Sequence, residues 1–457
     1  MLDLSEVIEP NSIDAIVTDP PYELNFMNKG WDNSGIAFQK ETWKKCYDVL
    51  KSGGHMLVFG GSRTFHRIAC AIEDAGFEIR DTIMWIYGSG FPKSMNIGLA
   101  IDKRNGVESK VIGVKEHCKK DFKEGNLYAQ DEANKNNTKC FGYGTEIIKQ
   151  AQNEWAGWGT QLKPSYEPII VCRKLCEESI VDNVMKYGVG GINIDECRVS
   201  ISNDDIDMIN AKSSKNPTDN YNKNESKKYG DYALNIATSA NEQGRFPANT
   251  ILTYDDSDYD EVCGGFPKTK GSANKRIRAE NNIYGKTLGE TLQNDVWGDS
   301  GSASRYFYCA KASKRDRDEG LENFELKIGG GMSGTADQSL LTGSGNIRNN
   351  LRHNIHPTVK PTSLMQYLVR LVTPKGGTVL DPFNGSGSTG KACMYENADR
   401  NANYKYVGIE LTEEYLPIAK ARIEFAEKNP IMDYEIKKTR VETNKTDDNK
   451  SESIFEL

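Results

Sequence analysis

Nowhere in these 457 residues does an apolar run approach the roughly 20 residues that a bilayer span requires. The N-terminus also lacks a signal-peptide pattern, so we expect a cytoplasmic protein with no membrane partner. Basic charge is short: 58 Lys and Arg stand against 65 Asp and Glu, a net charge of −7, so the chain as a whole does not attract nucleic acid. Histidine is scarce, at five, and the ten cysteines are scattered. Cys172 and Cys176 lie close with Cys197 downstream, but no paired Cys/His cluster completes a zinc site; we expect free thiols and no metal. Apolar content is low, 37% with a mean hydropathy of −0.63, which leaves much of the length as solvated loop or insert beside one large α/β domain.

Both ends of the chain carry strand–helix alternation. Apolar periodicity predicts strands at 13–18, 55–59 and 78–87 and helices at 38–50 and 63–75, the first helix being ended by Lys51-Ser52-Gly53-Gly54. After a polar stretch, a strand at 166–172 is expected to pair with 82–87 at the sheet edge. Order returns with a helix at 362–372, a strand at 379–380, helix 387–396, strand 404–410 and an amphipathic helix at 413–427. Alternation at this spacing implies a parallel sheet covered by helices. We therefore expect a sheet domain split between residues 1–172, with an insertion at about 94–164, and residues 353–428. Between them lies an inserted region, 173–352, with a mobile segment at about 203–244, and a charged tail follows at 429–457. Short strands are expected at 249–254 and 304–310.

Two turns sit where the sheet model places ligands, at the carboxyl ends of strands. The first is Asp19-Pro20-Pro21-Tyr22, which offers a carboxylate, a stiffened backbone and an aromatic face. The second follows 378–380: Asp381-Pro382-Phe383-Asn384-Gly385-Ser386-Gly387-Ser388-Thr389, a Gly/Ser loop that lets amide N–H groups approach a ligand at a helix N-terminus. Glu410 ends the next strand, where an acid accepts hydrogen bonds from ribose hydroxyls. The loop lacks the Gly-Lys-Ser/Thr ending of a phosphate loop. A ligand with a ribose and no phosphates fits better, and S-adenosylmethionine is the obvious one. Upstream, His356-Pro357-Thr358-Val359-Lys360-Pro361 reads locally as a rigid helix-initiating turn with one cation.

The middle region concentrates the scarce basic charge. Lys268, Lys270, Lys275, Arg276, Arg278 and Lys286 stand against Glu280 alone, and Lys311, Lys314, Arg315 and Arg317 against Asp316. Phosphate contacts need local positive potential, and a basic run is otherwise a solvated face. Tyr306 and Tyr308 lie in the same region, either as DNA contacts or as core packing of a strand.

Taken together, the two turns resemble the catalytic and cofactor motifs of amino-group DNA methyltransferases, in the permuted order in which the catalytic motif comes first. Segments FMNKGWD (26–32), WIYGSGFPK (85–93), WGTQLKP (158–164) and RYFYCAK (305–311) look like parts of phage and prophage DNA methylases, and the similarity covers about 1–330 and 353–425. The resemblance implies a circularly permuted, Rossmann-like methyltransferase sheet with an inserted target-recognition domain. It implies S-adenosylmethionine as cofactor, with Thr358 and Lys360 helping to hold its methionine portion. Phe383, Gly385, Ser386, Gly387, Ser388, Thr389, Asp381 and Glu410 would form the rest of that site. Double-stranded DNA is the implied substrate, in a bacterial or phage-infected cell; a homodimer and a separately encoded restriction enzyme are compatible partners. Asp-Pro-Pro-Tyr favours adenine N6, whereas Ser in first place would favour cytosine N4; that activity is one alternative and a non-catalytic DNA-binding protein on the same fold the other. The chain departs from the family at its start. Most members have a strand and Gly-Asp before the catalytic motif, but here Met1-Leu2-Asp3 stands there, with Asp3 as the remnant acid.

Overall fold

The structure, a computed structural model, describes residues 4–24, 30–87, 94–116, 139–140, 143–201, 206–207, 243–253, 268–269, 301–302, 307–309, 315–328 and 351–429. Eight strands form one sheet: β1 (Ile13–Thr18), β2 (Leu50–Phe59), β3 (Glu78–Tyr87), β4 (Tyr166–Arg173), β5 (Thr250–Thr253), β6 (Tyr308–Cys309), β7 (Thr378–Asp381) and β8 (Lys405–Gly408). Their spatial order is β6-β5-β3-β4-β2-β1-β7-β8. β4 is antiparallel to both its neighbours, β2 and β3, and every other pairing is parallel.

The two ends of the chain meet at the centre of this sheet. β1 pairs with β7 in the register Ala15 to Val379 and Ile16 to Leu380. At the opening ends Asp14 accepts from the Thr378 amide at 2.7 Å and from the Lys51 ammonium at 2.6 Å. From β1 the chain turns first toward β2 on one side, while β7 leads to β8 on the other. The carboxyl ends of β1 and β7 therefore flank the crevice where connections diverge, the place where such sheets bind ligands.

All six residues of β1 are buried because both sheet faces are covered. Ala15 and Val17 share a cluster with Leu364 and Leu368 of α5 (Thr362–Val372) and Ala392 of α6 (Ser388–Arg400). Ile16 faces the opposite layer, with Trp43 of α1 (Lys40–Val49) and Ile68 and Ile72 of α2 (Phe65–Asp74). Each fully buried Leu or Ile contributes about 1.5–3 kcal/mol, so these two layers hold the distant halves together. α7 (Leu416–Lys428) packs against α6.

Three expectations change in detail. Residues 51–54 do not cap α1 as a loop: the helix ends at Val49 and they belong to extended β2. Gly53 takes φ +76, and a Cβ there would lie 2.2 Å from the Asn183 amide nitrogen of α4 (Ile180–Tyr187). That amide donates to Ser52 O and Val189 O, so the glycine lets α4 dock on β2. β4 does pair with β3, but it lies inside the sheet and not at its edge. Pro168 is tolerated there because it stands past the last β2 pair, Phe59 with Ile169, while its carbonyl accepts from Gly60 N. The donor it lacks would face the same side, beyond the end of that ladder. The polar stretch at 94–164 contains α3 (Ile97–Arg104) and the antiparallel pair Lys110–Glu116 with Tyr143–Gln150. β5 and β6, both from the middle region, extend the central sheet. Most of the segment expected to be mobile and nearly all of the charged tail lie outside the described residues.

Candidate active site

β1 delivers Asp19 to the carboxyl edge of the sheet, where Pro20 is buried and Tyr22 half-buried. The turn is tied down by its exit. Thr64 Oγ1 donates to Tyr22 O at 2.7 Å, and the buried Asp32 carboxylate accepts from the amides of Glu23 (2.9 Å) and Leu24 (3.2 Å). Asp19 Oδ2 accepts from Lys360 Nζ at 2.5 Å. Its other oxygen, Oδ1, is buried and has no hydrogen-bond donor among the described residues.

The second turn is held by its own polar groups together with Thr18 of β1 and Arg422 of α7. Asp381, 3% exposed, accepts from Thr18 Oγ1 (2.6 Å), Thr389 Oγ1 (2.6 Å) and the Phe383 amide (3.1 Å). Burial nevertheless pushes its carboxyl up to about 6. Gly385 (φ +51) donates its amide to Glu410 Oε2 at 2.7 Å, while Glu410 Oε1 accepts from Thr412 N at 2.8 Å. A Cβ on Gly385 would fall 2.8 Å from the His356 ring, and one on Gly387 (φ +75) would fall 3.0 Å from the Ala419 backbone. Gly387 caps α6, which begins at Ser388, so the first free amides of that helix face the loop. Behind it the buried Arg422 donates to Ser386 O and Oγ and to Ser388 Oγ; burial lowers its pKa to about 10, so it stays cationic at neutral pH.

The 356–361 segment bridges the two turns. Thr358 lines the cavity between them, and His356 Nδ1 meets Thr358 O at 2.5 Å. Burial pushes His356 down to about 4, so the ring is neutral. Lys360, expected on the cofactor, reaches across to Asp19 in the other turn. Although burial alone would depress it, the carboxylates of Asp19 and Glu167 hold this ammonium above its usual range.

The basic runs fare differently. Arg317, counted in the second basic run, is half-buried and donates to the carbonyls of His356 (2.9 Å) and Pro357 (3.4 Å). It belongs to a helical turn, Arg315–Asp318, whose Asp316 accepts from Thr362 and whose Asp318 accepts from the Asn354 amide. It is thus an internal brace of the 356–361 segment and not part of a solvated basic face. Tyr308 also packs inward. It stacks on Tyr367 with centroids 4.1 Å apart and donates to Ser363 O. Lys268 and Arg315 are described by their backbone alone. Lys270, Lys275, Arg276, Arg278, Lys311, Lys314 and Tyr306 lie outside the described residues.

Sequence reading missed Glu167. Because β4 is antiparallel, its first residues, not its last, abut the carboxyl edge of the other strands. Glu167 Oε2 accepts from Tyr22 OH at 2.7 Å and lies 3.5 Å from Lys360 Nζ; its Oε1 accepts from Tyr87 OH at 3.2 Å. Its only sequence signal is an acid at the mouth of an apolar run, which means nothing until the strand direction is known.

Both turns, Glu167 and the 356–361 segment line one cavity of about 780 Å³, within the range of about 300–1,000 Å³ usual for small-molecule sites. The chain is 25% identical over 230 residues to the Type II methyltransferase M.HindIII of Haemophilus influenzae, covering 41% of this chain and 60% of that one. It is 26% identical over 211 residues to the Type II methyltransferase M2.LlaDCHI of Lactococcus lactis subsp. cremoris, covering 41% and 76%. The chain thus spans 60% of the length of the first of these relatives. Superposition on the crystal structure of M1.HpyAVI covers 92% of this chain and 95% of that one, at 14% identity and a TM-score of 0.33. The match that decides is to the family described as DNA methylase, which runs from residue 13 to residue 421 and so takes in both turns and the sheet that joins them. The chain belongs to that family, the amino-group (N6/N4) DNA methylases.

Proposed function

We propose that this chain transfers a methyl group from S-adenosylmethionine to the N6 amine of an adenine swung out of duplex DNA. One observation carries the reading. Asp19 Oδ1 is a buried acceptor without a donor among the described residues, one position beyond Thr18, whose hydroxyl is bonded to Asp381 of the glycine loop. An amine N–H is the kind of group that completes it.

The cavity suits the cofactor. It presents Glu410, the loop residues Gly385, Ser386 and Ser388, and the apolar side chains of Phe383, Ile409 and Leu411. Among the described residues Lys360 is the one Lys or Arg that lines it, and that ammonium is engaged by Asp19. Such a set favours a ribose-bearing ligand without phosphates. Glu410 would hold the ribose hydroxyls, the loop amides, Ser388 and Thr389 would line the approach, Phe383 would flank the base, and Thr358 would serve the methionine end. When bound, the cofactor supplies an electrophilic methyl group.

An exocyclic amine is a weak nucleophile because its lone pair is delocalised into the ring. It needs acceptors that orient it and welcome positive charge as the methyl arrives. Asp19 takes one N–H and the Pro20 carbonyl the other; Pro20 and Pro21 keep those acceptors in place, and Tyr22 offers a face on which the extruded base stacks. Asp in first place supports adenine over cytosine. Liquid chromatography–mass spectrometry of DNA treated with the protein tests this: N6-methyladenine is expected, N4-methylcytosine would change the target, and DNA retention with no methylated base would leave a binding protein. In the middle region, Lys268, Lys270, Lys275, Arg276, Arg278, Lys311, Lys314 and Arg315 are proposed to meet phosphates. Neutralising Lys275, Arg276 and Arg278 should flatten the salt dependence of DNA affinity by about 1 in slope for each phosphate that no longer meets a cation.

A further inference from the structure

Lys360 sets a problem for this chemistry. When a methyl group moves from a sulfonium to a neutral amine, the new N–C bond takes the nitrogen lone pair and the broken S–C pair returns to sulfur. The amine nitrogen carries positive charge until it releases a proton to solvent. A buried ammonium 2.5 Å from the orienting carboxylate opposes that charge, because Asp19 and Lys360 by themselves sum to zero.

Glu167 alters the sum. It lies 3.5 Å from the same ammonium, which bonds Asp19 Oδ2 at 2.5 Å, and it also accepts the Tyr22 hydroxyl at 2.7 Å. Lys360 is 9% exposed in its side chain and sits over the rings of Tyr22 and Phe59, at 5.4 and 4.9 Å from their centroids, so water does little to screen it. Resting on the methyl-transfer reading above, we propose that Glu167 is a positioning residue of the reaction. It draws on Lys360 and anchors the stacking tyrosine, and the Asp19–Lys360–Glu167 group then keeps one net negative charge toward the amine. Its location on the one antiparallel strand of the sheet brings a second carboxylate to an edge otherwise reached by strand ends.

Glu167→Gln keeps the shape and an oxygen to accept from Tyr22, but removes the charge. With saturating cofactor and DNA, kcat should fall about 10- to 100-fold, less than for loss of a group that touches the reacting atoms. Cofactor affinity by calorimetry should stay within about twofold, since Glu410 and the loop are untouched. A merely structural Glu167 predicts that a second change nearby adds damage. The charge argument predicts the opposite: Lys360→Met combined with Glu167→Gln restores a single negative charge on Asp19, so the double variant should recover at least about fivefold over Glu167→Gln. Should thermal melting show Glu167→Gln unfolded, the double variant carries the test alone against Lys360→Met, whose two facing carboxylates repel; it must be the faster of the two. A wild-type rate in Glu167→Gln, or a double variant slower than either single one, overturns the proposal. A wild-type protein without methyl transfer overturns the function reading instead.

Discussion

The two turns that line the cavity are made in opposite ways. The glycine loop is held mostly by groups near it in sequence: Asp381 binds Phe383 and Thr389, Gly387 caps α6, and Glu410 lies one strand further on, with Thr18 of β1 as the one partner from the other end of the chain among the described residues that bond Asp381. The Asp19–Tyr22 turn is assembled from afar. Lys360 stands 341 positions from Asp19, Glu167 stands 145 from Tyr22, and Thr64 stands 42 from Tyr22. One turn has both oxygens of its acids, Asp381 and Glu410, bonded; the other has an ammonium shared by two acids and a carboxylate oxygen left without a donor among the described residues. On the proposed function this difference has a reason: a loop that binds gains from being pre-formed, whereas a corner that reacts must keep an acceptor in reserve.

The sharpest way to break this contrast is Asp19→Ala. Losing one pre-organised acceptor where charge develops costs on the order of 100- to 1000-fold in rate. Cofactor affinity by calorimetry should be nearly unchanged, because the glycine loop does not depend on Asp19. Near wild-type transfer in this variant would remove the catalytic assignment.

Asp381 tests the other side through pH. Its carboxyl sits at about 6 in the fold, against an ordinary value of 3.8, so the folded protein holds that proton more tightly. Its contribution to stability is complete below about pH 4 and disappears as the pH rises through 6. His356 runs the other way, from 6.5 down to about 4: its contribution is present above pH 6.5 and is lost as the pH falls through 4. The two oppose each other over one window. Asp381→Asn leaves the His356 profile exposed, so Tm should rise more steeply between pH 4 and 6 than in the wild type, by on the order of 2–3 kcal/mol in stability. Parallel profiles would mean that Asp381 is not the buried acid that ties β1 to the loop.

Glu410→Ala should reverse the Asp19 pattern, weakening cofactor binding by about 1–3 kcal/mol and leaving the rate at saturating cofactor largely intact. The Gly385 amide would lose its acceptor as well. Equal affinity in calorimetry would count against placing the ribose there. The smallest effect belongs to Tyr22→Phe. The ring proposed to stack is kept, and the cost is the hydroxyl's hydrogen bond to Glu167, about 1.5–3 kcal/mol at most for a bond to a charged group and less with solvent near. Tyr22→Ala should be clearly worse in steady-state kinetics; equal damage would give the hydroxyl a chemical part.

Local features were readable in advance. The helix expected at 362–372 and the strand at 78–87 keep those bounds, because apolar period and flanking Pro or Gly act within a few residues. The 381–389 segment was legible as a Gly/Ser turn between strand and helix, and the fold gives its Gly385 and Gly387 positive φ. The position of β4 was not readable, since an apolar run carries no mark of its direction, and with it went Glu167. Arg317 looked like a solvated cation because neighbouring charges in sequence say nothing about which carbonyls a fold will bring to it.

By itself the sequence determined the two turns, their flanking strands and helices, and the order in which they occur, because backbone conformation follows from side chains a few positions away. Only the tertiary structure decided that Lys360 sits on Asp19, that Glu167 faces Tyr22, and that a carboxylate oxygen is buried without a donor among the described residues. Those facts depend on strand direction and pairing across more than a hundred residues. They are settled by the summed burial of both sheet faces, which no short window of sequence contains.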